Sequence, residues 1–167
     1  QDMVRYPVFR AMRERNLASL TAVSNFTPPK VVDEVRYLDP AFVEQECADF
    51  RRILTAAAPD IEEAFVTAPS PGIIAAAAPN EHYDSDEAYI EALAEALRVE
   101  YETIVEHGFV LQLDCPDLAL ERHITYAERP LGEFLGFVEM VVAAINRSLE
   151  KVPRDRVRLH VCWGNYE

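Results

Sequence analysis

The chain has 167 residues, half of them hydrophobic, which is enough for one domain with a real core. A formal net charge of −13 argues against a nucleic-acid-binding or anionic-membrane surface, so neither partner is expected. No run of about eighteen apolar residues occurs, and no membrane-spanning helix is expected either.

The first elements are weakly marked. Residues 8–17 can form a short basic helix with Arg10, Arg13 and Arg15, and 20–26 a strand stopped by Thr27-Pro28-Pro29. Val31 to Tyr37 alternates well enough for another strand. Asp39-Pro40 then opens a helix, with a capping residue ahead of a Pro at the first helical position. Phe42, Val43, Cys47, Phe50, Ile53 and Leu54 keep helical spacing to about Ala57, and Pro59 closes the segment.

Ala64 to Thr67 is the next strand, running into the turn-rich Ala68-Pro69-Ser70-Pro71-Gly72. Ile73 to Ala78 fits a short extension or a helical turn equally well. Ser85 or Asp84 caps a long helix from about Glu87 to His107, whose stripe is Tyr89, Ile90, Leu93, Leu97, Tyr101, Ile104 and Val105, with Gly108 as its C′ residue. Phe109 to Asp114 is an almost unbroken apolar run, the pattern of a strand covered on both faces. A loop with Asp114-Cys115-Pro116-Asp117 follows, then a helix from Gly132 to Leu149, a break at Pro153, and a last strand from Val157 that contains His160.

Strands alternating with helices predict βαβ units and a parallel sheet. Two architectures compete, a doubly wound open sheet and a (β/α)8 barrel. No Gly-x-Gly-x-x-Gly follows any strand, which takes the main support from a dinucleotide fold. A Gly-x-x-x-x-Gly-Lys-Ser/Thr loop is missing too, so P-loop chemistry is not expected. Four or five βα units make about half of a barrel that needs roughly 250 residues.

The chemistry-bearing groups fall just after strands: Ser70, Asp114 with Cys115, and His160 with Cys162. In a strand, His160 and Cys162 project to the same side, an imidazole nitrogen and a thiolate sulfur being two of the four ligands a tetrahedral zinc takes. The plain alternative is a core pair, with cysteine acting as a small hydrophobe. Asp114 closes an apolar strand and needs a partner or a solvated cleft, or else caps the next turn. Cys115 fits packing better than a third ligand position, and Cys47, among Phe42, Val43 and Phe50, fits the core. His82 and His123 read as surface residues, and His107 as a helix-end cation on the dipole. Without a Gly-x-Ser-x-Gly elbow, Ser-His-Asp catalysis has no support. The three cysteines are scattered and odd in number, which suits a reducing cytoplasm.

Leu159-His160-Val161-Cys162-Trp163-Gly164-Asn165-Tyr166 and Leu111-Gln112-Leu113-Asp114-Cys115-Pro116 resemble two motifs of cobalamin-independent methionine synthase. The likeness is to its catalytic carboxyl-terminal (β/α)8 domain and to the wider methionine synthase/uroporphyrinogen decarboxylase-like superfamily. It implies a TIM barrel of which residues 1–167 form the N-terminal half to two-thirds, continuing beyond residue 167. The resemblance also makes His160 and Cys162 two zinc ligands, with a Glu and a second Cys lying downstream of the motif. Asp114 would bind the acceptor's amino group. The Val66-Thr67-Ala68-Pro69-Ser70-Pro71 turn is similar, more loosely, to the family's Thr-Gly-Pro-Val-Thr loop and puts Ser70 at the substrate. Cys115 and Trp163 depart from the family pattern and mark a methionine-synthase-like branch.

The function so implied is zinc-dependent transfer of a methyl group from a folate-type donor to a small-molecule thiol, homocysteine or a related acceptor such as coenzyme M. No residue is named as catalytic beyond the ligands, and homo-oligomerisation is left open. Two other readings stand beside it: a metal-free decarboxylase or lyase of the same superfamily, and a barrel module without activity.

Overall fold

The computed structural model describes residues 5–8, 11, 29–57 and 60–162. The expected strand at 20–26 lies outside them, as do Trp163 and the residues after it, and the expected helix at 8–17 lies largely outside. The elements run α1 (Ala41–Ala57), β1 (Phe65–Pro69), α2 (Pro71–Ala77), α3 (Asp86–Glu106), β2 (Val110–Asp114), α4 (Asp117–Leu120), α5 (Leu131–Ser148) and β3 (Val157–His160). Short 3-10 turns at Glu121–His123 and Arg154–Arg156 follow α4 and precede β3.

The three strands form one parallel sheet in the order β1-β2-β3. Chain neighbours are sheet neighbours, each pair joined through helices, as the alternating sequence pattern predicts. A barrel requires this order, and one wing of a doubly wound sheet is compatible with it as well.

Local chemistry sets the element ends. Asp39 accepts from the Ala41 amide at 2.9 Å, opening α1. Ser85, not Asp84, caps α3 by accepting from the Ala88 amide at 3.1 Å. At the other end of α3, the Gly108 amide donates to Val105 O and the Phe109 amide to Ile104 O, the two bonds of a Schellman cap. Gly108 has φ of +80°, the left-handed region that favours glycine. The ambiguous 73–78 segment is helical because Ser70 and Pro71 start it: the Ser70 hydroxyl accepts from the Ile73 amide at 3.0 Å.

The expected strand at 31–37 does not form. Val31 makes a single parallel bridge to Asn80, but the Val35 amide donates to the Tyr83 hydroxyl at 2.7 Å, so a side chain takes the place of a ladder partner.

Alternation decides which side of the sheet is core. Ala68 of β1 and Leu111 and Leu113 of β2 are fully buried against Leu97, Tyr101 and Ile104 of α3 and Val141, Ala144 and Ile145 of α5. Each buried leucine contributes about 1.5–3 kcal/mol. Cys47 is buried in the same core, as its spacing implies. Tyr101 also ties α3 to the end of β1, its hydroxyl donating to Pro69 O at 2.6 Å. Phe50 of α1 stacks on Phe109 with centroids 5.1 Å apart. No helix among the described residues is long and apolar enough to cross a membrane.

The opposite face of the sheet mixes polar side chains with Phe65 and the buried Val110. Thr67, Gln112 and Arg158 stand in one register row, the Gln112 amide donating to Thr67 Oγ1 at 3.3 Å and Arg158 Nε donating to Gln112 Oε1 at 2.8 Å. The Arg158 guanidinium lies 3.7 Å from the Phe65 ring centroid. Gly108→Ala is expected to destabilise the fold by about 1–2 kcal/mol, the cost of a side chain in the left-handed region. Chemical denaturation, with the slope unchanged, measures it.

Candidate functional site

Parallel register carries the strand ends to a common edge. Pro69, Asp114 and His160 are partners across the three strands, and the last two are side-by-side residues whose side chains share a face. His160 Nδ1 and Asp114 Oδ1 are 2.6 Å apart. Both side chains are about half exposed, and an exposed pair of this sort adds roughly 0–1 kcal/mol to stability. That is too little to hold the sheet together, so the contact acts on the orientation of the ring. The turn-capping alternative for Asp114 is not what its side chain does.

β3 ends at His160, two residues before Cys162. The expectation of one strand carrying both is therefore met at His160 only. Cys162 is half-buried and free, just beyond the strand. Among the described residues no group of three or more His, Cys, Asp or Glu side chains is placed to hold a metal ion.

Ser70 and Cys115 also follow strand ends, but one residue further on, and period-two alternation turns them to the helix side. The Ser70 amide donates to Asp114 O at 3.0 Å and the Cys115 amide to His160 O at 2.8 Å, so the ladder continues one step past the strands. Ser70 is fully buried, its hydroxyl donating to Asp117 Oδ1 at 2.6 Å while accepting from Ile73. Its observed work is to start α2 and hold Asp117. Cys115 is fully buried as well. Burial, reinforced by Asp117 and Asp114 nearby, pushes its thiol up to about 12, so it stays protonated at neutral pH and is no thiolate. The strand-end groups thus divide into an open pair, Asp114 and His160, and a buried set, Ser70, Cys115 and Asp117.

Asp117 is the member that sequence reasoning missed. The sequence pattern puts it in a loop, whereas it opens α4 in full burial. Its Oδ2 is buried without a hydrogen-bond partner and lies against Gly72: a Cβ added at Gly72 would come within 2.1 Å of that oxygen. The available signal was the glycine following Ser70-Pro71, a position where only a missing side chain admits the carboxylate. Burial holds the Asp117 carboxyl above its ordinary range, against the opposing effect of the Ser70 hydrogen bond. Two other histidines are engaged elsewhere: His107 Nδ1 is 2.9 Å from Thr103 O at the end of α3, and His82 packs edge-on to Tyr83.

An acid whose folded pKa is raised stabilises most when both states are protonated, and loses that contribution as pH rises through the folded value. Asp117→Asn should accordingly gain stability relative to the unaltered protein on going from pH 4 to pH 7. Urea unfolding of both proteins at the two pH values checks the sign, and parallel curves would refute it.

No family model matches the chain, and no solved structure matches it. Among curated proteins it is similar to the methionine synthase of Pyrococcus abyssi (strain GE5 / Orsay), 31% identical over 142 residues that make up 84% of this chain. Those residues are 36% of the relative, so the chain spans about a third of the length of the curated relative it matches. The likeness is to a methionine synthase-like protein, distant in identity but spread over most of the chain.

Proposed function

We propose that this chain carries part of the site of a zinc-dependent methyltransferase that moves a methyl group from a folate-type donor to a thiol acceptor, homocysteine or a related small thiol. The observation that supports it best is the edge where Asp114 pairs with His160, with Cys162 two residues on. The reading draws on the similarity to methionine synthase and on the two motifs that contain these residues. The (β/α)8 barrel, with this chain as its N-terminal half to two-thirds, belongs to the same proposal.

The donor chemistry fits zinc. With His160 Nδ1 engaged by a carboxylate, Nε2 is the ring nitrogen left for a metal, which is the arrangement common to zinc-bound histidines. Cys162 adds a sulfur in no disulfide. A nitrogen and a sulfur suit zinc better than calcium or magnesium, which take oxygen. When bound, zinc would act as a Lewis acid that lowers the acceptor thiol's pKa and so supplies thiolate at neutral pH, where a free thiol with pKa near 8.5 is only about a few per cent ionised.

The chain's own residues do the holding and orienting. His160 and Cys162 would be two protein ligands of the metal. The carboxylate of Asp114, half exposed at the same edge, would pair with the acceptor's ammonium, and its value lies in alignment. Ser70 contributes from beneath, by building the turn after β1 and fixing Asp117. The same sheet face, with Arg158 over Phe65, would offer the small-molecule partners a guanidinium beside an aromatic ring. A cytoplasmic setting agrees with the free cysteines.

The test is metal content. The protein at its natural length, stripped with chelator and reloaded, should hold zinc stoichiometrically and regain methyl transfer to the thiol. His160→Ala and Cys162→Ala should each abolish stoichiometric zinc. Full methyl transfer by rigorously metal-free protein would overturn the zinc requirement, and a protein with neither zinc nor methyl transfer would favour the decarboxylase or lyase chemistry.

A further inference from the structure

We infer that Asp114 is a positioning residue for His160, fixing the imidazole in the tautomer with hydrogen on Nδ1 and so aiming Nε2 away from the strand. The inference deepens the zinc reading and rests on it for the metal, but its geometry comes from the observed pair alone. A neutral imidazole carries one N–H and one bare nitrogen, and which is which follows from the partner it is given. An ionised carboxylate only accepts, so at 2.6 Å from Asp114 Oδ1 the proton sits on Nδ1.

The backbone makes this arrangement hard to lose. Asp114 and His160 are register partners on adjacent parallel strands, and the next ladder bond, from the Cys115 amide to His160 O at 2.8 Å, locks the strands together just past them. The neighbouring row on the same face is also occupied, with Arg158 held by Gln112. Both dyad members are therefore aimed by the sheet and not by a mobile loop. Asp114 uses one oxygen on the ring, and in the zinc reading its second oxygen would take the acceptor's ammonium. One carboxylate thereby links the ligand's orientation to acceptor binding. Outer partners of this kind are typically worth about 10- to 100-fold in metal affinity.

The experiment reads the ring and the metal separately. Long-range ¹H–¹⁵N correlation spectra of the metal-free protein, above the histidine titration, report the His160 tautomer. Zinc affinity is titrated against a competing chelator at fixed pH. The unaltered protein should show Nδ1–H, and Asp114→Ala should shift His160 towards Nε2–H and weaken zinc by roughly 10- to 100-fold, with unchanged circular dichroism. Asp114→Glu, which keeps the carboxylate, should recover part of both losses. An Nε2–H tautomer in the unaltered protein, or Asp114→Ala binding zinc as tightly, would overturn the inference. If the unaltered protein bound no zinc yet carried Nδ1–H, and Asp114→Ala lost it, the positioning role would stand and the zinc reading would fall.

Discussion

The register between β2 and β3 is the constraint from which the chemistry of this molecule follows. Leu111 against Val157 and Leu113 against Leu159 place one set of side chains towards the helices, and Asp114 against His160 comes two steps after the Gln112–Arg158 pair on the other side. A slip of β3 by one residue would exchange its faces, turning His160 towards the helices and Leu159 to the other side. Burial of Leu111 and Leu113, worth about 1.5–3 kcal/mol each, fixes which way β2 faces and so which way Asp114 points. Leu159 of β3 is 54% exposed, so β3 is aligned chiefly by its ladder with β2. The dyad's partners are presented together because that parallel ladder sets them side by side.

The same alternation explains the buried set beneath the edge. Ser70 and Cys115 each come one residue after the dyad row, and so turn towards α2, α4 and α5. There Asp117 accepts from Ser70 and crowds Gly72, where an added side chain would meet both Asp117 and Val141. A buried carboxyl with an unpartnered oxygen opposes stability at neutral pH, which sets it apart from the leucines around it. What it does is join the turn after β1 to the turn after β2. Two adjacent strand ends, each leading into a helix, are tied through one side-chain bond.

Much of the architecture was legible in the sequence. Helical spacing with Ser85 and Gly108 at its ends located α3 to within about a residue, because a cap and a Schellman glycine are local devices. The apolar run located β2 for a similar reason. Barrel closure was not legible at this level, since local patterning does not determine how a sheet curls beyond three strands. The strand at 31–37 failed because alternation says nothing about whether a partner exists, and the Tyr83 hydroxyl takes the Val35 amide instead. At the site, the sequence places Ser70, Asp114, Cys115 and His160 just after strands, but one residue of offset turns Ser70 and Cys115 away from the side that Asp114 and His160 share. Asp117 escaped notice since its significance depends on Gly72, forty-odd residues away, and on burial that no local pattern reveals.

The claim on which the functional account turns is that His160 and Cys162 face one metal. X-ray absorption at the zinc edge of the loaded protein addresses it directly. The account predicts a shell of mixed sulfur and nitrogen, at about 2.3 Å and about 2.0–2.1 Å, with the zinc signal lost in Cys162→Ser and in His160→Gln carried through the same loading. A shell of oxygen or nitrogen alone, or one that persists unchanged in both variants, would contradict it.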